Sequence, residues 1–556
     1  MTKSGGVDIY KIYCDSKLFV YSYNNSITGE YGEYVIDQFD SDFSELINHL
    51  ENLEYHICFD GLKYDYQIID DIISSRDMYN SCRAGLQLEI INRKSRYLLS
   101  DNPENLIGEQ NFFIPQLDLS KLLGLNTAIR TTSIKDLCLN FGISFSNNSS
   151  KILDNIKKGG YINVNKEDIS SYLKSSIEAI LCLYKTICGF TDAVRYKDYS
   201  IIDARRDISK YFKTKMTFNM SNVKAGEVLA CRLYCKANNI DLKSFPRPLN
   251  TSGKIKISSI IPDFSVFNNK NINSYKEYLS KLEITPSDII EYNLYLNDIN
   301  VKFGNGGVHG CVDSGIFESN NDRVIVVHDI TSFYASIICY MGYFPAHLNE
   351  SFVSVYKSIL DGRLSAIDTL SSNHPIVSCL KEMLNGIYGK LKESNSNLYD
   401  PSMQLKTIIA SQMFTCMWLD TISSIDGVEF ISVNTDGMMY YVDRSKLDLV
   451  NSITKNIIDN YGFRIKTDFI SKLYLKDVNN YAYISESEKV VKVGVFDNDF
   501  NIYKSKKNRD IANILYEYFI EGNEDSSYLR NKYGQETLCN ATKIIYPIKE
   551  FQLKLF

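Results

Sequence analysis

The apolar positions along this chain follow two periods, and the pattern changes part-way. In the N-terminal third, Leu18–Tyr23 and Tyr55–Asp60 are short apolar and aromatic runs of the kind that form strands. Around them, Phe43–Leu53, Ser133–Asn140 and Ile169–Lys185 space their apolar residues three and four apart, as amphipathic helices do. Strands interleaved with helices predict an α/β unit over residues 1–190. Asn-, Ser- and Gly-rich stretches at Ser144–Ser150 and Phe267–Ser274 read as surface loops, the second close to a boundary. From Lys302 to Asp443, apolar strands at Arg323–His328 and Val428–Val433 enclose a helical middle, which predicts a strand-built platform carrying a helical insertion. The C-terminal segment mixes short strands with a helix at Asp510–Glu521 and reads as an appended subdomain.

At 556 residues the chain exceeds a single compact core, and about two to four domains are expected. Its 44% hydrophobic and 23% charged content excludes a disordered or membrane-embedded class. Acidic residues outnumber basic ones, 67 to 61, for a formal charge of −6. That excludes a surface coated in basic patches but leaves room for a basic cleft inside an acidic shell. Thirteen cysteines include no CxxC pair, and Cys231 and Cys235, the closest two, read as core thiols. A reducing compartment without structural zinc follows. With no basic leader and no run of about eighteen apolar residues, the expectation is a cytoplasmic protein with no membrane partner. The 40 tyrosines accompany abundant Asn, Ile and Lys, which share AT-rich codons, so aromatic richness is not counted as base stacking.

Three constellations in the second half carry chemistry. In VIVVHDITSFYASII (324–338) an apolar strand ends at His328-Asp329 and a turn leads into a helix. A carboxylate on a buried strand end is held rigidly beside an open loop, which suits a divalent cation, though an Asp capping the next helix has the same local sequence. In VEFISVNTDGMMYYVD (428–443) two apolar strands flank Asn434-Thr435-Asp436-Gly437 and put Asp436 at a hairpin tip; Asp-Gly there is also the ordinary hairpin signal. In LKEMLNGIYGKL (380–391), Lys381, Asn385 and Tyr388 share one face at about 100° per residue. Gly386 and Gly389, at a cost of roughly 1 kcal/mol each, invite close approach of another group; a solvated polar face is the plainer reading. The conjunction decides between these readings. Two strand-end carboxylates with a Lys/Asn/Tyr helix between them are the parts of two-metal phosphoryl transfer.

Taken in order, these segments resemble the motifs of family B DNA polymerases. DITSFYASI resembles motif A (DxxSLYPS), KEMLNGIYG motif B (KxxxNSxYG) and NTDG motif C (DTDS). KFGNGGVHG (302–310) resembles the Gly-Gly segment joining the family's exonuclease and polymerase modules, and LKDVNNYAYI (475–484) with KVG (492–494) its primer-contacting KxY region. The likeness is nearest to compact bacteriophage polymerases, including the protein-primed branch. It implies an α/β multidomain chain: an RNase H-like (DnaQ-like) exonuclease-type domain over 1–190, a connecting region and start of palm over 191–300, palm over 301–350, fingers over 351–400, palm again over 401–470 and thumb over 471–556.

Carried over residue by residue, the resemblance implies that Asp329 and Asp436, with the Ile330 carbonyl, hold two Mg²⁺ ions, for which Mn²⁺ substitutes, and that Lys381 completes the catalytic set. It assigns the incoming nucleotide to Ser332, Phe333, Tyr334, Arg363, Lys381, Asn385 and Tyr388, with Tyr334 beneath the sugar to exclude a 2′-hydroxyl. It assigns DNA to Gly306, Gly307, Gly389, Thr435, Lys476, Asn480, Tyr481 and Lys492. Asn434 stands where motif C has its first Asp, Ala335 replaces proline and Gly386 serine. Two positions before Tyr481 stands Asn479, so Lys476 is a loose substitute for the KxY lysine.

The N-terminal part resembles the family's 3′–5′ proofreading domain, in which clustered carboxylates hold metal ions. Val7-Asp8-Ile9-Tyr10 fits DxE with Tyr10 at the Glu position. The segment from Asp60 to Asp65 fits NxxxFD with Asp60 for Asn, and Tyr172 to Ser176 fits YxxxD with Ser176 for the metal-binding Asp. With two of four carboxylates replaced, and only Asp60 and Glu178 as stand-ins, exonuclease activity is expected to be absent or crippled. The whole implies a DNA-directed DNA polymerase extending a primer 3′-hydroxyl on a template with dNTPs, in phage DNA replication with accessory proteins. A specialised polymerase for translesion, template-independent or defence synthesis, and a catalytically silent DNA-binding homologue, are the alternatives. The short intervals from Asp329 to Lys381 and from there to Asp436 leave no room for both insertions of protein-primed members, which implies an ordinary primer and modest processivity.

Overall fold

The computed structural model describes residues 6–14, 18–25, 28–37, 43–61, 64–76, 116–124, 133–144, 152, 165–187, 201–215, 219–249, 253–296, 299–372, 374–499 and 504–549. The predicted Ser144–Ser150 loop lies outside them apart from its first residue, as do Leu62 and Lys63. The chain divides into two compact units, Met1–Ala225 with His374–Cys379, and Gly226–Asn373 with Leu380–Phe556.

The first unit is built on strands β1 (Gly6–Cys14), β2 (Leu18–Asn25), β3 (Tyr31–Asp37), β4 (Leu53–Cys58) and β5 (Gln116–Asp118) in the order β3-β2-β1-β4-β5. β1, β2 and β3 pair antiparallel, and β1-β4-β5 pair parallel. Helices cover both faces, which is why these strands read as nearly continuous apolar runs. On one face Tyr10 and Ile12 pack with α1 (Ser44–Glu51) and α2 (Asp65–Ser74). On the other, Tyr13 and Val20 pack with Ile169, Tyr172 and Leu173 of a long helix, Lys166–Ile187. The strand predicted over Tyr55–Asp60 ends two residues early because Asp60 turns into the left-handed region, φ +52°, where its amide donates to the Asp118 carboxylate at 2.9 Å.

Apart from a short pair, β6 (Ile255–Lys256) and β7 (Glu283–Ile284), the strands of the second unit form one antiparallel sheet. They are β8 (Glu291–Leu296), β9 (Ile299–Gly304), β10 (Gly307–Cys311), β11 (Gly315–Glu318), β12 (Arg323–Ile330), β13 (Val428–Asn434), β14 (Gly437–Asp443), β15 (Ile465–Asp477), β16 (Asn480–Ser485) and β17 (Val490–Val493). The order is β17-β16-β15-β12-β14-β13-β10-β9-β8, with β11 also on β15. Val324 and Val326 of β12 face a core shared with Phe414 and Trp418 of the helix Pro401–Ser423, while Ile325 faces Met439, Ile470 and Tyr483 on the opposite side. Period-2 alternation therefore carries Asp329 onto the Ile325 side, at the open end of the strand.

Between β12 and β13 run α3 (Phe333–Met341), α4 (Ser351–Leu370), α5 (Pro375–Lys390) and the helix Pro401–Ser423, the helical insertion predicted between the strands. One expectation is corrected. Phe267–Ser274 is no surface loop but the entry to a helix, Lys270–Ser280: Asn269 caps the Asn271 and Ile272 amides, and Ile272 is buried. The Asn-rich composition served a cap, held by Asp420 accepting from the Asn268 and Asn269 amides at 2.8 and 2.7 Å. The helix predicted at Asp510–Glu521 begins earlier, at Lys506, where Ser505 caps it.

Candidate active site

The β13–β14 hairpin presents Asp436 in a two-residue turn and brings it beside Asp329. Asp329 lies opposite Gly437 in the β12–β14 register, and the Ile330 amide donates to the Asp436 carbonyl at 2.7 Å. Gly437 permits this approach, since a Cβ there would stand 2.5 Å from the His328 carbonyl oxygen. A second lock comes from β10. Gly307, at φ +122°, leaves space that the Thr435 hydroxyl fills, and that hydroxyl accepts from the Val308 amide at 2.8 Å. Thr435 is thereby buried, and it and Gly307 fix the turn; Gly306 is exposed. Asp329 does not cap the following helix. That position belongs to Ser332, at φ +57° with no side-chain cap bond.

Asp329 and Asp436 open onto a cavity of about 340 Å³ whose walls include Lys381, Asn434, Lys466 and Tyr481. Lys381 comes from α5, where Asn385, one turn on, is also exposed. Tyr388 of α5 stacks on Tyr334 of α3 with ring centroids 4.3 Å apart and planes 9° apart. Arg363 of α4 is not on the surface: it is buried and donates to the Ser332 hydroxyl. Phe333 points away from this group into the core, against Phe414 and Phe463, because successive helix residues diverge by about 100°. Asn434 spends its amide oxygen on the Thr435 amide at 2.9 Å. Gly389 borders open space, and the close approach expected of the helix is made elsewhere along it, where Gly226 meets the Met383 backbone.

Asp329 is exposed to the cavity, yet enclosure by the surrounding walls pushes its carboxyl up to about 6, with Asp436 adding to the rise and Lys381, Lys466 and Arg363 opposing it. Burial likewise lifts Asp436, against its own amide, Lys381 and His309. Two adjacent carboxylates whose ionised forms are this disfavoured make a donor pair that a divalent cation relieves, so the residues present fit the implied metal ions. Among the described residues no group of three or more His, Cys, Asp or Glu side chains is arranged to hold a metal, so any ion here would rest on these two carboxylates and backbone or water oxygens.

Farther along the sheet, Lys476 pairs with Asp477 at 2.8 Å, and Asn480 donates to the same carboxylate at 2.8 and 3.0 Å, which fixes the β15–β16 turn. Lys492 is bound to Asn498 and Asp499, each at 2.6 Å, and does not reach the cavity. Of the four DNA-contact candidates in this region only Tyr481 lines it.

The first unit gathers its residues differently. Asp8 and Tyr10 lie on one face of β1, where Asp8 accepts from the Tyr21 hydroxyl at 3.1 Å and sits 2.6 Å from His49 Nε2. Tyr172 packs on the other face with Tyr13, and Asp65, at the start of α2, is met from β1 by neither Asp8 nor Tyr10 in a hydrogen bond. The β1 residue that meets Asp65 is Lys11, in a direct ion pair with both side chains nearly buried. Burial works against the Lys11 ammonium, but Asp65 outweighs it and holds the pKa above the ordinary lysine value. Ser176 turns its hydroxyl back to the Tyr172 carbonyl at 2.8 Å, and Asp60 is exposed. Asp60 and Asp118 lie within electrostatic reach of Asp65, but the Lys11 ammonium stands in contact with its carboxylate, so a metal ion does not fit beside Asp65 without displacing that lysine.

The structure is similar to that of a solved DNA polymerase. One matching structure is the family B enzyme of the hyperthermophilic archaeon Pyrobaculum calidifontis, at 12% identity and a TM-score of 0.41, covering 94% of this chain and 66% of that one. A likeness of that degree says nothing about substrate or chemistry. No protein-family model matches the chain, and no curated protein matches it by sequence.

Sequence reasoning passed over Lys466, Asp468 and Tyr483 on the cavity wall, and His309, which pairs with Asn434 across β10 and β13. The alternation in Ile465-Lys466-Thr467-Asp468 put Lys466 and Asp468 on one face, but only the long-range pairing of β15 with β12 brings that face to Asp329. Among the described residues no helix is long and apolar enough to cross a membrane.

Proposed function

We propose that this chain is a DNA-templated DNA polymerase that extends a primer 3′-hydroxyl with dNTPs and does not proofread. The observation that carries the reading is the convergence of Asp329 and Asp436, from segments more than 100 residues apart, onto one cavity wall with Lys381 opposite their charge. In the proposed reaction the primer 3′-oxygen bonds to the α-phosphorus of the nucleotide, the bond from that phosphorus to the β-phosphate oxygen breaks, and pyrophosphate leaves. Divalent cations held by Asp329, Asp436 and the Ile330 carbonyl would neutralise charge developing on the attacking and leaving oxygens. Lys381 and Arg363 offset triphosphate charge, and Asn385 orients the same nucleotide. Tyr334, braced from behind by its stack on Tyr388, presents a flat wall to the sugar. Palm, fingers and thumb are then the sheet, the α4–α5 insertion and the segment beyond β15, and the first unit is a nuclease-like scaffold.

The absence of proofreading is supported by the Lys11–Asp65 pair. Retention of Asp329, Asp436 and Lys381 at the cavity, with Asn385 and Tyr334 also kept in sequence, favours an active enzyme over a silent DNA-binding homologue. Extension of a primed template by wild type and by Asp436→Ala tests this: incorporation that depends on template and is lost in the variant is expected. Equal, background-level incorporation by both sinks the reading.

A further inference from the structure

Lys466 has no part in the mechanism above, yet it flanks the metal-binding carboxylate directly. On β15 it stands across from Asp329 in the β12–β15 register, whereas Gly437 and the Asp436 turn flank Asp329 on the β14 side. Lys466 and Asp436 thus lie on opposite sides of Asp329. The Lys466 ammonium is about half exposed and rests 2.8 Å from Asp468, two residues along the same face. Asp468 in turn accepts a hydrogen bond of 2.9 Å from the Tyr483 hydroxyl. Tyr483 and Asp468 steer the lysine, and an ammonium has three donors, of which one carboxylate occupies only part. The rest face the cavity.

The position matters because the cations around Asp329 divide by origin. Lys381 and Arg363 come from the helical insertion, while Lys466 comes from the strand side that also carries Tyr481. An attacking hydroxyl and a triphosphate approach a carboxylate pair from different directions. The lysine of the neighbouring turn, Lys476, is paired with Asp477 and does not line the cavity. We propose that Lys466 grips the primer backbone phosphate next to the 3′ end, taking the role that Lys476 is not placed to fill. This rests on the polymerase reading of the cavity.

The test is equilibrium binding of the full chain to a fluorescent primer–template across a salt series without dNTP. Each phosphate contact contributes about 0.7–0.9 to the slope of log affinity against log salt. Lys466→Met is expected to weaken binding about tenfold at low salt and to reduce that slope by about one. Lys466→Arg is expected to keep both, and Lys357→Met, which removes an exposed lysine likewise paired with an acid, Asp361, to leave the slope unchanged. In steady-state extension, the dNTP KM of Lys466→Met is expected to stay within about twofold of wild type while the primer–template KM rises. An unchanged slope, or a rise in the dNTP KM instead, overturns the assignment. Because binding is read without incorporation, a wild type that binds primed DNA but adds nothing would refute the polymerase reading while the salt slope still judged Lys466.

Discussion

Lysine meets carboxylate in both units of this chain, and the two arrangements differ in where the cation stands. In the first unit Lys11 lies in contact with Asp65, and both are nearly withdrawn from solvent. In the second, Asp329 and Asp436 face an open cavity, and neither forms an ion pair among the described residues, although Lys381 and Lys466 stand along the same walls. Burial raises the carboxyl in both places; at Asp65 the Lys11 ammonium in contact opposes the rise, whereas at Asp329, driven up to about 6, the neighbouring Asp436 adds to it. A contact pair has satisfied itself and supports the fold. A pair of adjacent carboxylates without a cation in contact is costly, and a divalent cation would relieve it. The difference between the two sites lies in the distance to the nearest internal cation, not in the number of carboxylates.

The sharpest way to break this contrast is to remove either cavity carboxylate. Asp329→Ala or Asp436→Ala is expected to lower primer extension by about 10³-fold or more, measured in single-turnover incorporation. Next comes the contact pair. Lys11→Met leaves Asp65 buried and unpaired, which should destabilise the first unit by about 3–5 kcal/mol in equilibrium guanidinium unfolding, and the double variant Lys11→Met with Asp65→Leu should regain most of that loss. A single variant as stable as wild type would show that the pair anchors nothing. Whether the Tyr334 ring faces a sugar is read from Tyr334→Ala, expected to relax discrimination between ribo- and deoxynucleotides by about 1–3 kcal/mol in relative kcat/KM. The smallest effect is on pH. Asp329 must be ionised to hold a cation, and its carboxyl, raised to about 6, is protonated below that pH. The Mg²⁺ concentration for half-maximal activity should therefore rise about tenfold per pH unit below 6, and pH-independence down to 5 would contradict the uncompensated pair.

Much of the cavity was readable because its local signals are strong. Strand periodicity ending at Asp329 and the Asn434–Gly437 turn between apolar runs place two carboxylates without any knowledge of tertiary structure. β1 was not readable in the same way. Val7 to Tyr13 is apolar or aromatic on both faces because helices cover both, so nothing in the alternation marks which residue faces Asp65. A shift of one residue moves the reading from Lys11 to Asp8 and Tyr10. The burial of Arg363 was not legible in the sequence because its partner, Ser332, lies 31 residues away. Lys466 was missed because its importance comes only from the partner strand across from it. Phe333 was grouped with Tyr334 by proximity in sequence, and the helix separates them.

On the proposed reading, cation-dependent chemistry resides at Asp329 and Asp436 and not at Asp65. A 5′-labelled primer annealed to a longer template, incubated with the protein and Mg²⁺ and resolved by length with and without dNTPs, tests both halves at once. The account predicts elongation with dNTPs, an unchanged primer without them, and neither change in Asp436→Ala. Shortening of the primer that disappears in Asp65→Ala, or no elongation by the wild-type chain, would contradict it.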